Sequence, residues 1–309
     1  MSRARVARRI ATAAAYGGGG VGLLGGAAIG VLLAEVQLAR RKVGGSEDIP
    51  PVADGLYGTA FAHQGPGTER TALRLALLGD STAAGQGVHR PRQTPGALLA
   101  SGLAAVAERP VLLRNVAVPG ARSDDLERQV TRLLGEGTGD GGGCDGGGAP
   151  DVCVIMIGAN DVTHRMPPAR SVRLLSDAVT RLRTAGCEVV VGTCPDLGTI
   201  EPVAQPLRWI ARRLSRQLAA AQTIAVVELG GRTVSLGDLL GPEFEANPRE
   251  LFGPDNYHPS AEGYATAAMA FLPTLCAALG LWPKDERPGL AHREDILPVD
   301  RAAAEAVEE

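Results

Sequence analysis

The sequence predicts a three-layer α/β/α sandwich on a mainly parallel central sheet, of the flavodoxin-like kind. Two observations predict it. Short apolar runs recur at 73–79, 111–118, 151–158, 187–194 and 224–230, and helical segments of about 10 to 18 residues separate them. Runs that are apolar throughout suit strands buried on both faces. Their alternation with helices implies right-handed crossovers between parallel neighbours.

Each element has a local reason. "LRLALLG" (73–79) is the first strand, and it stops at Gly79-Asp80-Ser81. Thr94-Pro95 then starts a helix, a cap followed by a first-turn proline, running to about Arg109. "VLLRNVAV" (111–118) is a strand ended by Pro119-Gly120, and Ser123 with Asp124 and Asp125 reads as a capped helix start. "DVCVIMIG" (151–158), a helix from about Pro168 to Ala185, and "CEVVVGTC" (187–194) follow. A helix over roughly Pro206–Gln222, the strand "IAVVELG" (224–230) and a Ser260-capped helix reaching Leu279 complete the pattern.

The chain divides into a basic N-terminal region with a membrane anchor or signal segment (1–42), a linker (43–70), the α/β domain (71–282) and a charged tail (283–309). Arg3, Arg5, Arg8 and Arg9 precede an uncharged stretch from Ile10 to Ala34, and Arg40, Arg41 and Lys42 follow it. That stretch is long enough to cross a bilayer as a helix, and it lacks the A-x-A-like site of a cleaved signal. The reading is an uncleaved anchor with an extracytoplasmic domain; cleavage would make the protein secreted. "GVGLLG" (Gly20–Gly25) matches a dinucleotide-binding pattern, but no strand precedes it and the helix it would open is apolar throughout. The Gly-rich run from Gly137 to Pro150 lacks the Lys-Ser/Thr of a phosphate loop and reads as a surface connection. Residues 43–70, rich in Gly, Pro and Asp, read as a tether or a wrapped extension.

Composition excludes some partners. A net charge of −3 with no basic stripe beyond the N-terminus argues against nucleic acid. The five cysteines, Cys144, Cys153, Cys187, Cys194 and Cys276, include no C-x-x-C pair, so zinc is not expected and no metal or organic cofactor is implied. Cys153 and Cys194 read as small buried thiols, and an exported domain would have room for one or two disulfides. Oligomeric state is not legible.

In an open parallel sheet, functional groups gather at the carboxyl ends of strands. Ser81 follows the first strand, Gly120 the second, and Gly158 and Asn160 the third; Asp255 and His258 lie in "FGPDNYHPSAEGY", ahead of the last helix. Each alone has an ordinary reading. Gly-Asp-Ser occurs by chance, Asn160-Asp161 is a common turn, and Asp-x-x-His is usually a turn with a solvated histidine. Together they form a nucleophile and its helpers. A neutral imidazole, His258, suits the task of taking the Ser81 proton near pH 7, and a carboxylate, Asp255, can orient and charge-stabilise the ring. The Ser81 and Gly120 backbone N–H groups and the Asn160 amide would hold a developing oxyanion. Asp80 and Asp161 read as structural. His63, His89, His164 and His292 read as surface residues, with His164 near enough to Asn160 to line a pocket.

These segments resemble the GDSL family of hydrolases in its SGNH form, named for its serine, glycine, asparagine and histidine. The resemblance spans roughly residues 72–280 and matches all four blocks in order, with Thr82 where many members have leucine. The arginine-, alanine- and glycine-rich composition looks actinobacterial. The resemblance implies a serine esterase acting on a small-molecule or lipid carboxylic ester through an acyl-serine intermediate. No long apolar lid is evident, which favours short- to medium-chain acyl groups. An acyltransferase or thioesterase could use the same triad. A reading of another class, a catalytically silent membrane-tethered binding module, would be expected to lack a triad member.

Overall fold

The computed structural model describes residues 49–62, 71–135, 149–200 and 203–281. The anchor segment, most of the Gly-rich connection, the tail and Cys144 lie outside the described residues. Among the described residues, no helix is long and apolar enough to cross a membrane.

Six strands form one sheet: β1 (Gly55–Tyr57), β2 (Leu73–Gly79), β3 (Val111–Asn115), β4 (Val152–Met156), β5 (Glu188–Gly192) and β6 (Arg232–Val234). Their spatial order is β1-β3-β2-β4-β5-β6. The β1–β3 pair is antiparallel and every other pair is parallel. The nine α-helices among the described residues are α1 (Ser81–Ala84), α2 (Pro95–Ala107), α3 (Leu126–Leu134), α4 (Ala159–Thr163), α5 (Pro168–Thr184), α6 (Leu207–Glu228), α7 (Leu236–Ala246), α8 (Pro248–Leu251) and α9 (Ala261–Ala278).

Side chains alternate across the sheet, so one apolar run serves two cores. Leu75 and Leu77 of β2 and Val152, Val154 and Met156 of β4 pack with Leu99 and Leu103 of α2 and Phe271 and Leu275 of α9. Ala76, Leu78, Cys153 and Ile155 point the other way, onto Leu126 and Val130 of α3 and Leu175 and Leu182 of α5. This is the α/β/α sandwich that the sequence predicts. Its five parallel strands run in flavodoxin-like order, with a crevice where the order reverses, between β2 and β4.

Thr94 and Ser260 cap their helices, accepting from Ala97 N–H (3.3 Å) and Gly263 N–H (3.1 Å). The middle of the stretch 49–62 docks on the domain, with Tyr57 and Phe61 packed against the core. Gly55–Tyr57 pairs with β3, and Asp54 accepts from Asn115 N–H at 2.8 Å.

Two sequence expectations are corrected. Residues 224–230 are not a strand; α6 runs on through Glu228, and the strand is the three-residue β6. The buried residues of α6 are Ser215, Leu218, Gln222 and Val226, a helical stripe that continues into the β-branched run until Gly230 and Gly231 end it. Ser123 does not cap a helix by its hydroxyl. It begins a 3₁₀ turn (Ser123–Asp125), where Asp125 accepts from Arg122 N–H at 3.0 Å, and its own hydroxyl turns inward. The four described cysteines, Cys153, Cys187, Cys194 and Cys276, are free and buried.

Candidate active site

The site forms at the carboxyl edge of the sheet, at the β2/β4 crevice. The chain must turn sharply after β2, and Gly79 makes this possible. At φ 133° it packs so tightly on β4 that a Cβ would sit 1.9 Å from the Met156 carbonyl oxygen. Gln129 of α3 brackets the same residue, accepting from Gly79 N–H (2.7 Å) and donating to its carbonyl (2.8 Å). Asp80 then N-caps α1, accepting from Thr82 N–H at 2.9 Å. This places Ser81 at the first helical position.

The Ser81 hydroxyl donates to His258 Nε2 at 2.9 Å, across 177 residues of sequence. The other ring nitrogen, Nδ1, donates to Asp255 Oδ2 at 2.6 Å. A carboxylate only accepts, so Nδ1 carries the hydrogen and Nε2 offers its lone pair to Ser81. Asp255 is itself held. Its Oδ1 accepts from the N–H groups of Tyr257 and His258, each at 3.0 Å. Burial alone would raise its pKa, but the hydrogen bonds from the His258 ring and these two N–H groups hold it below the usual carboxylate range. The loop is clamped at its base, where Gly253 N–H donates to the His258 carbonyl (2.7 Å) and Ser260 N–H to the Leu251 carbonyl (2.8 Å). The Tyr257 ring stands edge-on to the imidazole at 4.9 Å.

Gly120 follows β3 in a turn at φ 78°, where open space surrounds the missing Cβ, so the backbone conformation is what requires glycine. Asn160 lies on α4, two residues past the strained Gly158 (φ 138°), and its amide donates to the Ala121 carbonyl at 3.0 Å. That bond ties the Gly120 turn to the start of α4. The other amide hydrogen of Asn160 and the N–H groups of Ser81 and Gly120 have no hydrogen-bond partner among the described residues. The arrangement has what acyl transfer needs: an activated hydroxyl, an oriented base, and spare donors just beyond the carboxyl ends of β2, β3 and β4.

Asp80 is fully buried beside this chain. Desolvation pushes its carboxyl up to about 6, against the opposing pull of the Thr82 N–H and the His258 ring and with a further push from Asp161. His164 is exposed and donates by Nδ1 to the Asn160 carbonyl at 2.9 Å; His89 is exposed. Among the described residues no cluster of His, Cys, Asp and Glu could hold a metal ion.

Asp161 is structural, as the sequence suggests, but its partners are not legible there: it accepts from Ser123 N–H (2.9 Å), Ser123 Oγ (2.5 Å) and Ser171 Oγ (2.7 Å). Two further bracing residues, Gln129 and Gln222, are missed by sequence reasoning. Gln222 of α6 accepts from Cys194 N–H (2.7 Å) and donates to the Ile157 carbonyl (3.1 Å), joining the ends of β4 and β5. A signal existed. Gln129 and Gln222 are amides set on the buried stripes of their helices, and a buried amide needs hydrogen-bond partners.

Comparison with known proteins finds a family and relatives for the chain. Residues 77–266 match the GDSL-like Lipase/Acylhydrolase family. The chain is 41% identical over 272 residues to the GDSL-like esterase Rv1075c of Mycobacterium tuberculosis, covering 87% of this chain and 83% of that one. Among solved structures, a lipase/acylhydrolase from Enterococcus faecalis superposes with a TM-score of 0.52 at 20% identity, covering 66% of this chain and 96% of that chain. A variant of Axe2, an acetyl-xylooligosaccharide esterase from Geobacillus, gives 0.50 at 19% identity over 67% and 94%. At these identities the two structures speak to the fold alone.

Proposed function

The chain belongs to the GDSL-like lipase/acylhydrolase family and is a carboxylic ester hydrolase, and we propose that Ser81, His258 and Asp255 carry out its reaction on short- to medium-chain acyl esters. The observation that carries this reading is the unbroken hydrogen-bonded chain from Ser81 Oγ through the His258 ring to Asp255.

In the proposed reaction His258 Nε2 takes the Ser81 proton as Oγ attacks the ester carbonyl carbon. The carbonyl π pair moves to oxygen, where the N–H groups of Ser81 and Gly120 and the Asn160 amide receive the charge. The oxyanion collapses, the C–O bond to the alcohol breaks, and His258 returns its proton to the leaving oxygen. Water, deprotonated by the same nitrogen, then attacks the acyl-serine, and the released Ser81 oxygen recovers its proton. Asp255 stays ionised throughout and stabilises the imidazolium.

The uncharged stretch at 10–34, flanked by arginines, supports a membrane-anchored protein with its hydrolase domain outside the cytoplasm. The composition supports an actinobacterial source. The domain division proposed is 1–42, 43–70, 71–282 and 283–309, with strand β1 of the second segment docked on the third.

The test is covalent labelling. A fluorophosphonate should modify the full-length protein at one serine, identified as Ser81 by peptide mass. Labelling that persists in Ser81→Ala would overturn the assignment.

A further inference from the structure

Beside Ser81, a cavity of about 100 Å³ runs inward between α2, α7 and α9. Leu99, Leu236, Leu240, Phe244, Ala267 and Phe271 are among its walls, and Ser81 and Thr82 also line it. Two carboxylates border it, and both have partners. Asp80 accepts from Thr82 N–H. Asp196 accepts from Gly198 N–H (2.8 Å) and pairs with Arg216 (3.1 Å) and Arg212 (3.4 Å). Most of the surface facing the space is apolar.

We propose that this cavity is the acyl-chain pocket, that it selects straight acyl groups of about four to six carbons, and that Gly241 sets its depth. The proposal rests on the Ser81 reading above. Orientation follows by elimination. The tetrahedral carbon on Ser81 carries an oxyanion, a leaving oxygen and the acyl chain. The oxyanion belongs beside Gly120 and Asn160, and the leaving oxygen beside His258, and none of these three residues lines the cavity. The acyl chain is the substituent left to enter it. Length follows from volume. An apolar protein cavity of about 150 Å³ takes benzene, six carbons, so this one takes about four beyond the carbonyl.

Gly241 lies on α7 at the cavity wall, and a Cβ there would meet only Asp196 Cβ and Thr199 Cγ2, both at 4.0 Å. Beyond its chain neighbours, a side chain at this position has room at its root beside two residues that also line the cavity, so a leucine would reduce the space at some cost in strain from the following Pro242. Leu240 is the complementary site, because trimming it lengthens the space.

The full-length protein should be assayed on nitrophenyl esters graded in acyl length, and on acetate esters graded in alcohol length. In the acyl series kcat/KM should climb by roughly fourfold per methylene up to about five carbons, then fall. The alcohol series should change less than about threefold per methylene. Gly241→Leu should lower the butanoate-to-acetate ratio about tenfold or more, and Leu240→Ala should move the optimum one or two carbons longer. A flat acyl profile, a profile that follows the alcohol, or ratios unmoved in both variants would overturn the pocket while fluorophosphonate still labels Ser81. Loss of that labelling in the unmodified protein would instead remove the Ser81 reading beneath it.

Discussion

Asp161 grips Ser123 twice, accepting from its N–H at 2.9 Å and its hydroxyl at 2.5 Å. The pair joins the segment after the Gly120 turn to the helix that carries Asn160. Asn160 adds a third tie through the Ala121 carbonyl. The two loops proposed to hold the oxyanion are thus fixed to each other, not only to the sheet.

Asp161→Ala would strand two donors in a buried site, the Ser123 N–H and one of the Ser123 and Ser171 hydroxyls, whose oxygens lie 3.0 Å apart and can bond each other. Each unsatisfied donor costs about 1–3 kcal/mol, so a stability loss of about 2 kcal/mol or more is expected, a drop in Tm of roughly 4–8 °C. In the fraction that folds, kcat should fall by more than KM rises, because the donors act chiefly in the transition state. Ser171→Ala removes one arm only and should keep most of kcat. Thermal melts and steady-state kinetics on the same samples check both.

Two glycines separate packing from conformation. Gly79→Ala puts a methyl 1.9 Å from a carbonyl oxygen and should abolish soluble expression. Gly120→Ala meets open space, and its left-handed backbone costs only about 1–2 kcal/mol, so it should fold and lose kcat as its N–H shifts.

Asp80 predicts an unusual pH dependence of stability. Its carboxyl rises from 3.8 to about 6 on folding. Between these values the folded state keeps a proton that the unfolded state has released, so stability from this group falls as pH rises through the window and levels off above it. The full shift corresponds to about 3 kcal/mol. Asp80→Asn keeps an N-cap acceptor for Thr82 and removes the buried charge. Its Tm relative to the parent should therefore be higher at pH 7.5 than at pH 4.5. An unchanged difference between the two pH values would contradict the burial argument.

Asp255 has the opposite sign. Its folded pKa is depressed, so its contribution is present above the usual carboxylate value and is lost as pH falls through the lower folded one. Asp255→Asn can present a donor to Nδ1 and favour the wrong tautomer, and a loss of about 10⁴ in kcat is expected. Asp255→Ala should hurt less than removal of Ser81 or His258. The kcat of these variants, measured on one nitrophenyl ester, ranks the roles.

Much of the site is legible in the sequence. Ser81, Gly120 and Asn160 each follow a run whose apolar character marks a buried strand, and parallel connectivity brings their ends to one edge. The meeting of His258 with Ser81 was legible only as chemistry. Nothing local in "DNYHPS" says that the imidazole reaches back 177 residues. The strand expected at 224–230 failed because β-branched residues were read without the helical stripe of Leu218, Gln222 and Val226 behind them. The Asp161 network and the cavity beside Ser81 were invisible, since both arise from segments that meet only after the layers pack.

The most direct measurement is turnover of a short-chain nitrophenyl ester by Ser81→Ala and His258→Ala, each shown folded by its thermal transition. Both should fall by up to about 10⁶-fold, and the double variant should fall little further, because the two side chains act as one unit. Turnover near the parent rate in Ser81→Ala would contradict the assignment of the nucleophile and everything built on it.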